Sequence, residues 1–369
     1  MTGRIRTNAT EKPVRVDKLR PWSELPTELL EVIVSCLCDE DNVRLSCVCK
    51  NFRSFRVVKQ CPWLMFSPAI GGRKGYIIKF FDPSQGKFYF DENIELSNTF
   101  FQCSKDGWVL FSILGSSLFL FNPFTKSRIN LPFHCQLPNW FVGYKFALSC
   151  APTSLDSIVF AIGNTDLHGE EVCICICHPG DANWTVFKYQ NTDGELFKSG
   201  DGPVFCNGSF YCLSEFSDNL VGTFDPQNHT WSILPVPSPN LPCLSLDQQR
   251  AKHLLEFKGK LLLVCVSYPE NPIVFRLDLT KMKWVEMDSL NGVTVFVSSL
   301  SSVSATDVPN VSRNSIYFSK NRFRGKSSYF YSLDDGKYHP AKQWHEARRI
   351  SKVGWIQPPK MTHPVFEEL

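Results

Sequence analysis

The sequence has no apolar run long enough to cross a bilayer, no marked excess of one charge, and no spacing typical of a nucleotide loop or a metalloprotease helix. Each absence removes a class of function. The longest apolar stretch, Trp108 to Phe121, is broken by Gly115-Ser116-Ser117 and falls short of the ~20 residues that span hydrocarbon as a helix. It reads as two strands and a turn. Lys and Arg number 39 against 36 Asp and Glu, a net charge of +3 that gives no electrostatic footprint for nucleic acid or a membrane surface. The expected partner is a protein, with no nucleic acid and no membrane. The first twenty residues, MTGRIRTNATEKPVRVDKLR, lack the apolar core of a secretory signal and read as a flexible basic tail.

Catalytic signatures are missing too. There is no Gly-x-Ser-x-Gly elbow and no His-Glu-x-x-His, and His345-Glu346 is followed by Ala347, Arg348 and Arg349, so no second His is placed to share a metal. Arg348, Arg349 and Lys352, with Lys342 nearby, read as a solvated rim. Cys173, Cys175, Cys177 and His178 make the sharpest-looking metal cluster. Alternate residues of a strand hold their Cβ atoms about 7 Å apart, though, and no second Cys pair completes a zinc module. The expectation is buried thiols, with no cofactor, no metal and no catalysis. Fifteen Cys is an odd number in a chain too long to need a disulfide framework, which points to free thiols in a reducing compartment, cytoplasm or nucleus. The Asn-x-Ser/Thr sites at Asn8, Asn183, Asn207, Asn228 and Asn310 read as turns.

What is present is apolar and aromatic: 43% hydrophobic residues, with 30 Phe, 9 Trp and 10 Tyr, the composition of a folded protein. At 369 residues the chain exceeds the usual single core, so a small module plus one large domain is expected. From Trp22 to about Gln60 the apolar period is helical, with Leu29, Leu30, Ile33 and Leu37 on one stripe and Leu45, Val48, Cys49 and Phe52 on a second. Pro26 suits a helix start, because its missing N–H would be unpaired there anyway. Asp39 to Asn42 break and cap, and a third short helix is expected around Phe55 and Val58.

Three short amphipathic helices leave apolar surface that needs a cover, and a partner helix is the natural one. ELPTELLEVIVSCL followed by DNVRLSCVCKNFRSF resembles the F-box motif at Leu25-Pro26, Glu28-Leu29-Leu30, Ile33, Leu37, Leu45, Val48-Cys49-Lys50 and Arg53. Phe52 stands where that family often has Trp and keeps an aromatic side chain there. The resemblance implies that Leu25, Pro26, Leu29, Leu30, Ile33, Leu37, Leu45, Val48, Cys49 and Phe52 bind the Skp1-type linker of a cullin-based ubiquitin ligase.

Beyond Cys61 the pattern turns to alternation and to β-branched and aromatic runs such as YIIKFF, WVLFSI, LFLFN and KLLLVCV. Six segments repeat one grammar of apolar strand, polar turn and a strand opening on a long or aromatic side chain. They are FFDPSQGKF, LFNPFTKSR, ICHPGDANW, TFDPQNHTW, RLDLTKMKW and YSLDDGKYH, anchored on Asp82, Asn122, His178, Asp225, Asp278 and Asp334. The spacing of 40 to 56 residues is that of propeller blades. Six residues after four of the anchors come Phe88, Trp184, Trp231 and Trp284, and upstream hairpins centre on Gly107, Gly208 and Gly259.

A β-propeller hides sheet edges that such strands would otherwise expose, with a large β-sandwich as the other possible arrangement. The repeats, with PWLMFSP and GWIQPP near the ends, are similar to the kelch-like propeller of a large plant F-box family, although the Gly-Gly doublet of kelch repeats is absent from the blades. The expectation is therefore a multidomain α and β protein: a tail at 1–20, a three-helix F-box at 21–61, an all-β propeller of about six blades at 62–360, and a tail at 361–369. The propeller should be closed by a strand around Trp355 and Ile356 joining the first blade. The function implied is a substrate adaptor of a Skp1-cullin-F-box (SCF) ligase with an unknown target protein. The alternatives are a propeller that binds a small molecule or sugar, and a non-degradative F-box scaffold.

Overall fold

The computed structural model describes residues 61–66, 78–91, 96, 99–113, 117–132, 144–164, 170–191, 197–200, 202–214, 220–241, 251–267, 270–319, 329–340, 353–358 and 367–368, with single positions between 25 and 52. Two compact units emerge, residues 1–58 and 59–369. The larger holds six sheets that follow one another along the chain as the blades of a propeller.

Blades two to five are four-stranded antiparallel sheets running from the inner strand outwards in chain order. Their inner strands are Thr99–Lys105, Lys145–Leu148, Val204–Cys206 and Ala251–Phe257. The first blade draws its inner strand, Val353–Ile356, from the far end of the chain, where it pairs antiparallel with Trp63–Phe66 in the register Leu64 to Trp355. This is the closure expected of GWIQPP. It removes two free sheet edges at once. Glu367–Glu368, inside the segment expected to be a tail, pairs with Tyr89 and Phe90 at the outer edge of the same blade.

The sixth blade departs from the plain meander. Val293–Val297 pairs antiparallel with Val303–Thr306, which lies inside it, and parallel with Ser315–Phe318, which lies outside it. Five strands therefore stand where blades two to five have four.

The core is not one mass but six wedges, one between each pair of neighbouring blades. This explains a feature that alternation alone misses. Middle strands such as Trp108–Ile113, Glu171–Cys177 and Lys260–Val266 are covered on both faces, so they read as continuous apolar runs. Along Glu171–Cys177 the period of two sorts side chains between wedges: Cys173, Cys175 and Cys177 face the second blade, whereas Val172, Ile174 and Ile176 face the fourth.

Each wedge also carries a polar tie. Lys126 meets the buried Asp91 at 3.0 Å, Trp184 Nε1 donates to Pro132 O, Tyr189 Oη to His229 O and Asn207 Nδ2 to Gly259 O. Tyr338 Oη donates to Glu270 O, and Trp355 Nε1 to Val297 O across the closing seam.

The six repeats mark the turn between the third and outermost strands. Oδ1 of Asp82, Asn122, Asp225 and Asp278 accepts backbone N–H groups two or three residues on, which fixes each turn. In the third blade the turn is longer, and Asp181 rather than His178 supplies the side-chain acceptor. The sixth anchor is corrected. Ser332, not Asp334, pairs with Lys337 as Asp82 pairs with Lys87, and Ser332 Oγ accepts the Asp335 N–H. Six residues after Ser332 stands Tyr338, so the correction adds a fifth aromatic to the pattern. The hairpins at Asp106-Gly107, Asn207-Gly208 and Lys258-Gly259 have positive φ at both central positions, the mirror-image turn that matches strand twist.

Candidate functional site

Two regions offer sites, and each is built separately. In the helical module, Thr27, Leu29, Leu30 and Ile33 have helical backbone, as do Leu45 and Phe52. The carbonyl of Pro26 accepts the N–H of Leu29 and of Leu30, both at 3.1 Å, which places Pro26 just ahead of the first turn, where its lack of an N–H costs nothing. Leu30 and Phe52 are buried, and Leu25, Ile33 and Leu45 are half-buried. Pro26 is exposed, and so are Leu29 at 52% and Val48 at 69%. Leu37 and Cys49 lie outside the described residues, as do the caps at Asp39 to Asn42 and the helix expected around Phe55 and Val58.

In the propeller, the six inner strands stand around the axis, and from Val353–Ile356 round to Val303–Thr306 each neighbours the next in blade order. Between them lies a cavity of ≈ 250 Å³ with contributions from every blade, including the serine-rich segment 298–304. Ser104 Oγ donates to Trp355 O at 2.5 Å and contacts Ser301 Oγ at 2.7 Å, tying the second blade to both sides of the seam. At the rim that carries the tight hairpins, the connection 149–158 ends in Leu155, 99% exposed. Its backbone is held by Ser154 N–H to Ala151 O, Ser157 N–H to Ser154 O and Ile158 N–H to Ser149 Oγ.

The cysteine cluster behaves differently from the spacing argument. Cys173 and Cys175 bring their sulfurs to 3.9 Å, because side chains from one strand face lean together even when their Cβ atoms stand apart. That contact lowers the Cys173 thiol and raises that of Cys175, with burial opposing the thiolate at both. His178 Nδ1 is engaged with Ser157 O at 2.9 Å, and among the described residues no group of three His, Cys, Asp or Glu is placed to hold a metal ion. The basic group at 342–352 and His345-Glu346 lie outside the described residues. Asn183, Asn207, Asn228 and Asn310 sit in turns or bends, Asn207 and Asn310 with positive φ, while Asn8 is outside the described residues.

Comparison with known proteins agrees with both regions. Residues 22–55 match the F-box domain, and residues 80–341 match the KIB1-4 β-propeller, well over half of the chain. An F-box/kelch-repeat protein of Arabidopsis thaliana is 37% identical over 350 residues, covering 92% of this chain and 95% of the relative. The chain belongs to the plant F-box proteins that carry a KIB1-4 β-propeller. A second F-box protein of Arabidopsis thaliana is 30% identical over 92% of this chain and 87% of its own length. A further F-box/kelch-repeat protein of that plant is 30% identical over 91% and 85%.

F-box proteins are in general non-catalytic adaptor subunits that recognise substrates for SCF ubiquitin ligases, and an F-box in general binds Skp1. In this F-box protein the propeller match stops short of both closing strands, Trp63–Phe66 and Val353–Ile356, which the structure adds to the first blade. Leu155 escaped sequence reasoning because an isolated Leu between Ser154 and Asp156 belongs to no apolar period. The axial serines escaped it because their meeting with Ser104 depends on ring closure across 197 residues of chain.

Proposed function

We propose that this chain is the substrate-recognition subunit of an SCF ubiquitin ligase. Its helical module docks on a Skp1-type linker, and its propeller holds a target protein for ubiquitination. The supporting observation is the exposure of Leu29 and Val48. They are two of the three large hydrophobic side chains strongly exposed among the described residues, and both lie in the F-box. Burying such a side chain at an interface is worth about 1.5–3 kcal/mol. In this reading Leu29 and Val48, with Pro26 beside them, touch the linker directly. Leu25, Ile33, Leu37, Leu45 and Cys49 line the contact, while the buried Leu30 and Phe52 hold the helices in position.

The third exposed side chain, Leu155, is displayed on a hydrogen-bonded turn of the propeller rim and serves the target. Side chains of this kind, apolar and already ordered, bind with little further entropic cost. The chain supplies geometry and leaves ubiquitin transfer to other subunits. It works in cytoplasm or nucleus, where the described thiols stay reduced.

Proximity labelling from the full chain, with and without proteasome inhibition, tests this reading. Labelled proteins should accumulate on inhibition and on removal of the chain, and Leu29→Lys should abolish the accumulation while leaving the labelling. Labelled proteins whose abundance ignores both treatments would instead make the chain a non-degradative scaffold.

A further inference from the structure

The axial cavity has a hydrogen-bonding character that its composition alone does not reveal. Each serine hydroxyl owns one proton. Ser104 gives its proton to Trp355 O, so in the Ser104–Ser301 contact Ser301 must be the donor and Ser104 the acceptor. Ser302 donates to Ser298 O and Ser304 to Glu256 O. The protons of these four hydroxyls are thus directed into the protein, and, with Ser302 Oγ also accepting the Ser298 N–H, what remains for the cavity are the other oxygen lone pairs.

Ser104, Ser302 and Ser304 are only half-buried, so those lone pairs are reachable. Lys105 and Lys252 line the same cavity and supply N–H donors, Asp106 and Glu256 balance their charge, and the half-buried Phe205 supplies an apolar face. Acceptors from one side, donors from another and an apolar wall suit a molecule whose groups both donate and accept around a C–H surface. A volume of ≈ 250 Å³ falls just under the usual ~300–1,000 Å³ of ligand pockets, room for a single ring and not for a peptide or an oligosaccharide.

We propose that the propeller axis is a binding site for one neutral polyhydroxylated ring, a monosaccharide or cyclitol, held by the serine acceptors of two blades and Lys105. The site belongs to the propeller alone and does not depend on the adaptor reading.

Titration calorimetry on the full chain with D-glucose, D-galactose, D-mannose and myo-inositol tests it, with gluconate as a carboxylate of similar size. At least one neutral ring should bind in a one-to-one ratio. Ser304→Ala and Lys105→Met should each weaken that binding about fivefold, the loss of one hydrogen bond, with unchanged circular dichroism and melting temperature. Two variants on different blades keep the test valid if one fails to fold. No heat from any neutral ring up to roughly 10 mM, a range that detects even millimolar affinity, would overturn the proposal. Binding that neither variant weakens would overturn it too, as would gluconate binding tighter than every neutral ring, since a cationic pocket would then explain the site.

Discussion

Gly222 and Gly354 show how tightly single residues govern this fold. A Cβ on Gly222 would stand 2.0 Å from the Trp231 indole, and one on Gly354 would stand 2.2 Å from the Phe101 ring, so in both places the outer edge of an aromatic ring occupies the space a side chain would need. The contact at Gly354 matters more, because it presses the second blade onto the closing strand. Gly354→Ala should lower stability by about 1–3 kcal/mol, the usual cost of overpacking, readable as a fall in chemical-denaturation midpoint. Gly222→Ala should behave alike and be rescued in part by Trp231→Leu, which clears the space; a double variant no better than the single one would contradict the steric account. Trp231 was legible as the aromatic six places after Asp225, but its glycine partner was not, since the pairing of Gly222 with Ile233 that brings them together is a matter of register. Thiols were legible as buried. Native alkylation at pH 8 should modify Cys150, which is half-buried, before the other described cysteines, all of which are buried. Burial pushes the Cys206 thiol up to about 11, slowing it further by leaving little thiolate. Rapid labelling of Cys206 or Cys212 in the folded protein would show that the wedges open.

At the scale of the element, the closing strand carries the most weight for its length. Val353, Trp355 and Ile356 are almost wholly buried, and Trp355 also donates to Val297 O of the sixth blade, so four residues complete one sheet and two wedges. Truncation after Lys352 should leave Trp63–Phe66 as a bare edge and produce aggregation or a markedly lower melting temperature in light scattering and calorimetry. A monomer with unchanged melting temperature would mean that the ring closes without this strand. The strand could be read beforehand from Gly354-Trp355-Ile356 followed by Pro358-Pro359, which cannot go on donating to a ladder. Turns were equally legible wherever Asp or Asn caps its own turn. The sixth blade was not: Asp334-Asp335 drew attention two residues beyond Ser332, and a parallel pair between Val293–Val297 and Ser315–Phe318 leaves no periodic mark that differs from an antiparallel one.

The whole molecule joins two units of different physics. The propeller is self-sufficient, with six apolar wedges each fastened by a polar tie. The F-box is short and leaves Leu29 and Val48 in water, which is unfavourable unless a partner covers them. The family was legible because its motif residues are local in sequence, whereas the target contact was not, since loops meet only in the folded ring. Affinity of the chain for a purified Skp1-type protein, measured by calorimetry with the wild type, Leu29→Lys and Val48→Asp, tests the adaptor account most directly. The account predicts one-to-one binding, weakened at least about tenfold by each substitution, as for apolar side chains at the centre of an interface, with the melting temperature of the propeller unchanged. Undetectable binding by the wild type, or equal binding by all three proteins, would contradict it.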